Sequence, residues 1–316
     1  MELSKNKIMV TGASGFLGKK LCKALFQKDI KFIPVTRTSF GNSKKNLDLR
    51  NNIDWSEYLI GVDTIIHAAA KVHVISKKKS ASLDEYRKIN NFGTLNLARQ
   101  AAACGVKRFI FISTAKVSGE LSIINNPFNE KTLPDPKDSY SISKLETENE
   151  LLKLSKRSNL EIVIIRPPLI YGPGVGANFL VMINWINKGL PLPIKGIKNL
   201  RSLVYIYNLI DFILLCINHN LAKNEIFFIS DDDDISTVNL IKKIAYEMNK
   251  NIYFLYFPKK LLNFLAIIFK KQKEISRLKN SLQVDISKAK ILLEWKPVYN
   301  IDAAIKETIL AFKDKI

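Results

Sequence analysis

The chain has 316 residues, of which 47% are hydrophobic and 25% charged. That length and balance describe a globular protein with a true core, in one large domain or two modest ones, and exclude a disordered or disulfide-stapled chain. The net charge of +20 favours anionic partners such as nucleotides, but no nucleic-acid module and no basic stripe interleaved with aromatics accompanies it, so nucleic acid is not an expected partner.

No apolar run reaches the ~18 residues of a membrane span, and the N-terminus has no signal-peptide profile. A cytoplasmic location is expected. Cys22, Cys104 and Cys216 are scattered and odd in number, so they read as buried small apolar residues rather than as disulfides or zinc ligands. The acidic run 231–234 lacks calcium-loop spacing and reads as a solvated turn.

In chain order, residues 7–11 read as a short buried strand, and Gly12 to Gly18 as a glycine-rich turn. Residues 16–28 carry helical periodicity through Phe16, Leu17, Leu21, Ala24 and Leu25. Strands are expected at 30–35 and 62–67, and a helix at 84–104 stopped by Gly105. A strand at 109–113, a helix at 139–157 and a strand at 161–166, ended by Pro167-Pro168, complete the first half. Continuous apolar strands alternating with helices predict an α/β fold: a doubly wound parallel sheet covered on both faces. Beyond about residue 170 the elements shorten and mix. Residues 1–170 are therefore expected to form the dinucleotide-binding domain. Residues 171–316 are expected to form a smaller α/β substrate lobe, partly interleaved with it.

Thr11-Gly12-Ala13-Ser14-Gly15-Phe16-Leu17-Gly18 follows a strand and opens a helix. In that setting glycines bring backbone N–H groups and a helix N-terminus up to a pyrophosphate. A second strand ending in Asp or Glu would bind the ribose 2′-OH of NAD; this one runs into Arg37 between threonines, which suits a 2′-phosphate. NADP(H) is therefore the favoured cofactor and NAD(H) the alternative. Tyr140-Ser-Ile-Ser-Lys144 places a phenol and an ammonium on one helix face. A cation beside a phenol of ordinary pKa about 10 favours the phenolate and brings it toward proton transfer near neutral pH.

These features resemble the extended short-chain dehydrogenase/reductase family of nucleotide-sugar epimerases, dehydratases and reductases. The resemblance is carried by residues 11–18, His67-Ala68-Ala69-Ala70, Asn90-Asn91-Phe92-Gly93-Thr94, the stretch 112–119, Tyr140 to Lys144, and Arg166-Pro167-Pro168-Leu169-Ile170-Tyr171-Gly172-Pro173-Gly174. It continues through 201–206 and 285–288, and so spans nearly the whole chain. It implies Tyr140 as general acid/base and Lys144 as holder of the nicotinamide ribose. It implies Thr114 as hydrogen-bond partner of the reacting oxygen and Asn90 as a structural and relay residue. Gly12, Ser14, Gly15, Phe16, Leu17, Gly18, Arg37, Asp48 and Ala68 would line the cofactor, with Asp48 at the adenine. Ser113, Asn178, Arg201 and Arg277 would meet the substrate, the arginines at a diphosphate.

Ser118, Tyr207 and Glu294 depart from the residues usual at their positions. Ala115-Lys116 follow Thr114 where dehydratases carry an Asp-Glu pair, which argues against dehydration. Within the family, 69–74 and 278–288 look like the bacterial branch that reduces a UDP-4-keto-6-deoxy-N-acetylhexosamine for O-antigen and other surface polysaccharides. Reduction at C4 of a UDP-sugar is thus the leading expectation. A 4-epimerase acting on a UDP-sugar or lipid-linked sugar is the alternative, and a non-catalytic NADP-binding regulator a second one. His67 is expected packed near the cofactor, and His73 is a candidate for the pocket. The resemblance also implies a homodimer through the helices near 90–104 and 139–157. Finally, 261–269 is apolar nearly all round and flanked by lysines. It reads as a packed helix, with weak peripheral contact through 259–273 at the inner membrane face as the alternative.

Overall fold

The computed structural model describes residues 7–72, 82–255 and 279–314. The central sheet is built from β1 (Ile8–Thr11), β2 (Phe32–Thr36), β3 (Ser39–Phe40), β4 (Ser43–Lys44), β5 (Thr64–His67), β6 (Arg108–Ile112), β7 (Glu161–Arg166) and β10 (Glu225–Phe228). Their order across the sheet is β10-β7-β6-β5-β1-β2-β3-β4. Every pairing from β10 to β2 is parallel, and only the short β3 and β4 run antiparallel at the edge. The expected doubly wound parallel sheet is present.

Burial explains the apolar runs. Along β1, Ile8 and Val10 face one core while Met9 faces the other, and β5, β6 and β7 alternate likewise. The first core holds Leu17, Leu21 and Leu25 of α1 (Phe16–Gln27) and extends through residues as late as Ile309. The second holds Leu95, Leu97 and Ala98 of α3 (Thr94–Ala103) and Leu151 of α4 (Ser139–Ser155). The chain leaves β1 for β2 on one side, and the next long strand, β5, lies on the other side of β1. The ends of β1 and β5 therefore flank a topological switch point, the place where open α/β sheets bind ligands.

The region after β7 supplies β8 (Leu169–Tyr171) and β9 (Leu203–Tyr205), a parallel pair apart from the main sheet, with α5 (Ala177–Asn187), α6 (Ile206–Asn218) and α7 (Thr237–Glu247). Its β10 returns to the main sheet beside β7. Helices α8 (Ser287–Leu293) and α9 (Ile301–Lys313) close the described chain. Among the described residues no helix is long and apolar enough to cross a membrane. His73 and the segment 259–273 lie outside the described residues.

Three expectations are corrected. The helix expected over 84–104 is interrupted: α2 (Leu83–Tyr86) runs into a π-helical turn, Arg87–Gly93, before α3. Tertiary bonds take over the backbone there. The Asn90 carbonyl accepts from Thr147 Oγ1 at 2.9 Å, and Gly93 presses so closely on the Leu49 carbonyl that a Cβ would collide with it. The acidic run is not a solvated turn throughout. Asp231 is buried and accepts from the Tyr171 hydroxyl (2.8 Å), the Tyr205 N–H (2.7 Å) and Asn208 Nδ2 (2.8 Å). Burial raises its carboxyl to about 6. Cys104 is exposed at the end of α3, whereas Cys216 is buried.

Candidate active site

The glycine loop forms at the end of β1. Gly12 has φ +72°, and a Cβ there would lie 2.7 Å from the Ala69 nitrogen. Only glycine lets the backbone after β5, at Ala68 and Ala69, seat against the loop. The Gly15 N–H closes the turn on the Gly12 carbonyl at 2.9 Å. Gly15 then caps α1 with no side-chain hydrogen bond, and the first turn carries no acid. The helix N-terminus therefore offers its N–H groups to an anion. Ser14 and Gly15 are exposed, Phe16 is partly buried, and Leu17 and Gly18 are buried against the sheet.

Arg37 follows β2 with its side chain 74% exposed, 3.9 Å from the Asp48 carboxylate. Asp48 is nearly buried and is gripped by Arg50 through Nε (3.0 Å) and Nη2 (2.5 Å). The Arg50 hydrogen bonds hold the Asp48 carboxyl below its usual range against burial. Sequence reasoning missed Arg50, because only the loop's folding brings it and Arg37 to the same Asp48 carboxylate. His67 is buried between Thr11 Oγ1 (2.8 Å) and Thr94 Oγ1 (2.9 Å). Burial, with the nearby Lys144 cation, lowers its pKa to about 3, so it is neutral.

Helix α4 begins at Asp138, whose carboxylate accepts from the Ser141 N–H at 2.7 Å. Tyr140 and Lys144 follow one turn apart. Tyr140 is partly buried, edge-on to Tyr86 with ring centroids 6.3 Å apart. Lys144 is 1% exposed, its Nζ 4.0 Å from the centre of the Phe111 ring. Burial lowers Lys144 to about 7, with Glu148 opposing. Burial, followed by the charges of Asp138 and Tyr86, pushes Tyr140 above the ordinary phenol range. The sequence expectation was the reverse, a phenolate favoured by Lys144. Desolvation of each group opposes its charged form.

Thr114 follows β6 in extended backbone, its Oγ1 accepting from the Lys116 N–H at 3.3 Å. The turn it opens, Ala115–Ser118, packs against α4. Ser113 and Ser118 are buried with hydroxyls that have no partner among the described residues. Asn90 is 1% exposed. Its amide bonds both the N–H and the carbonyl of Lys71 (2.7 and 3.1 Å) and Ser143 Oγ (3.1 Å), so it locks the segment after β5 onto α4. The glycine loop, Thr114, Asn90, Tyr140 and Lys144 thus gather at the C-terminal edge of β1, β5 and β6.

Of the expected substrate residues, Ser113 directly precedes Thr114 at the end of β6. Asn178 is exposed at the start of α5. Arg201 bridges by its backbone to Ile235 and Leu282, and its Nη1 donates to the Asn280 carbonyl at 3.2 Å. Arg277 is outside the described residues. Sequence reading also missed the buried pair of Glu148 and Arg166 (2.6 Å) and the pair of Lys116 and Asp138 (2.9 Å). Each joins residues at least 18 positions apart, and no periodicity reports such a pairing.

The chain is 39% identical over 311 residues to a Vibrio cholerae protein named UDP-glucose 4-epimerase, covering 96% of this chain and 95% of that one. A short-chain dehydrogenase/reductase superfamily protein from Agrobacterium tumefaciens, solved with NAD, superimposes with a TM-score of 0.79 at 19% identity over 98% of both chains. RMD from Pseudomonas aeruginosa, solved with NADPH, does so at 0.77 and 20% identity over 98% of this chain and 99% of that one. These two structures share the fold. The sequence profile described as the NAD dependent epimerase/dehydratase family matches residues 8–230. With the glycine loop at the switch point and the Tyr-Lys pair beside it, this chain belongs to the NAD dependent epimerase/dehydratase family.

Proposed function

We propose that this protein is an NAD(P)-dependent oxidoreductase acting at C4 of a UDP-sugar, reducing a 4-keto-6-deoxy-N-acetylhexosamine. The observation that carries the proposal is Tyr140 one helical turn before a buried Lys144 on α4, beside the switch point. The glycine cradle at Gly12 and the uncapped first turn of α1 fit a pyrophosphate. When bound, the nicotinamide supplies or accepts the hydride. Tyr140 moves the proton at the sugar O4, Thr114 hydrogen-bonds that oxygen, and Lys144 holds ribose hydroxyls. Asn90 keeps the segment after β5 in register with α4. Reduction needs a phenol that gives up its proton to the nascent alkoxide, and burial keeps Tyr140 in that protonated form. Arg37 and Arg50 converge on the Asp48 carboxylate after β2, and two cations there suit a 2′-phosphate, which supports an exchangeable NADP(H).

Epimerisation through bound NAD is the second reading, favoured by the name of the Vibrio cholerae relative. The two are separated by offering purified protein UDP-4-keto-6-deoxy-N-acetylglucosamine with NADPH, and separately UDP-glucose or UDP-N-acetylglucosamine with no added cofactor. Stoichiometric loss of NADPH supports reduction. Inversion at C4 without net cofactor change replaces it with epimerisation. The homodimer would use the outward faces of α3 and α4, and light scattering tests it.

A further inference from the structure

Thr114 and Tyr140 come from separate segments, one at the end of β6 and one at the start of α4. A line of contacts joins them. The Lys116 N–H donates to Thr114 Oγ1 (3.3 Å), and Lys116 Nζ donates to Asp138 Oδ2 (2.9 Å). The other Asp138 oxygen accepts from the Ser141 N–H (2.7 Å) and the Ser141 hydroxyl (2.9 Å), which caps the helix carrying Tyr140. Both ends are partly shielded, with 29% of the Lys116 side chain and 11% of the Asp138 side chain exposed.

The charges matter as much as the geometry. Asp138 lies two residues before Tyr140, and its negative charge opposes a phenolate there. A serine or asparagine would cap α4 as well, so the cap alone does not call for a carboxylate. Lys116 offsets that charge. Among the described residues, Tyr86 of α2 faces Tyr140 and, beyond it, Lys71, whose Nζ lies 5.7 Å over the Tyr86 ring and pairs with Glu85 at 3.4 Å. Lys144 lies one turn further along the same helix, with its Nζ 4.0 Å from the centre of the Phe111 ring. Lys116 Nζ grips Asp138 directly at 2.9 Å. Burial opposes the charged form of Asp138, yet Lys116 and the Ser141 bonds hold it down to about 2, so it is ionised throughout the working range.

The geometry points to Lys116 and Asp138 as a positioning pair that fixes Thr114 against Tyr140 and sets the charge Tyr140 meets during proton transfer. This inference rests on the reading of Tyr140 as the acid/base. Lys116 occupies the second position after Thr114, so the residue that argues against dehydration gains a role of its own.

The test compares K116M, K116R, D138N and the K116M/D138N double variant. Two readouts apply: the pH–rate profile in whichever assay above turns over, and a 13Cζ-tyrosine titration of the NADP-saturated protein with the Tyr140 signal assigned by Y140F. K116M removes the Lys116 cation from beside Asp138, so the Tyr140 midpoint moves up by about 0.5–1 pH unit, a roughly 3- to 10-fold rate change at fixed pH on that limb. D138N keeps the cap and removes the negative charge, so the midpoint moves down. K116R matches the unaltered protein, and the double variant returns toward it. Opposite shifts separate a charge-setting pair from a merely structural contact, whose loss would move both variants the same way. Unshifted Tyr140 midpoints in folded K116M and D138N, judged by unchanged melting temperature, overturn the pair. Full turnover by Y140F overturns the acid/base reading instead, whatever Lys116 does.

Discussion

Glu148 lies one helical turn beyond Lys144, yet its carboxylate is taken by Arg166. The Arg166 Nη2 meets Glu148 Oε2 at 2.6 Å, Nε reaches both oxygens at 3.2 Å, and both side chains are buried. Lys144 is left against the Phe111 ring, its Nζ 4.0 Å from the ring centre.

That arrangement makes Arg166 a sensitive position. R166M strands a buried carboxylate beside Lys144, and a loss of about 3–5 kcal/mol in unfolding free energy is expected. The E148L/R166M double variant removes both charges and recovers most of it. Chemical denaturation of the three proteins measures the difference, and equal losses for single and double variants would refute the account.

Lys144 itself is held at a cost in stability. Its folded pKa is about 7 against an ordinary value near 10.5. Between those values the unfolded chain binds the extra proton, so stability from this group rises with pH across about 7 to 10.5. The penalty is fully present below about 7. K144M therefore raises the melting temperature of the cofactor-free protein at pH 6.5, by about 2–4 °C for each kcal/mol relieved, while abolishing turnover. The gain fades by pH 10. Thermal melts at both pH values check it.

Y140F keeps the ring packed on Tyr86 and removes only the hydroxyl. Turnover is expected to fall about 10²- to 10⁴-fold, the range for a positioned acid or base. Cofactor binding, followed by nicotinamide fluorescence, is unchanged.

Arg37 and Arg50 bear on the cofactor. The R37A/R50A variant is expected to weaken NADPH binding about 10- to 100-fold, the loss of charge-assisted hydrogen bonds to a phosphate. NADH binding stays within about twofold, because no 2′-phosphate is present. Calorimetric titration with both cofactors decides the preference, and parallel losses for the two would end the NADP(H) reading.

Much of this protein was legible from its sequence. Apolar runs such as Phe109 to Ile112 and Ile162 to Ile165 predict strands buried on both faces, and the helices between them force parallel pairing. The glycines at 12, 15 and 18 and the Tyr140–Lys144 spacing are local patterns, so they survive without coordinates. What only the tertiary structure decided depends on residues distant in sequence. The π turn 87–93 forms where Thr147 and Lys71 bond the Asn90 carbonyl and side chain and the Leu49 carbonyl presses on Gly93. The protonated state of Tyr140, the weakened basicity of Lys144 and the pairing of Lys116 with Asp138 follow from desolvation and through-space charge. A linear pattern carries neither, because both are set by which segments the fold brings together around the switch point.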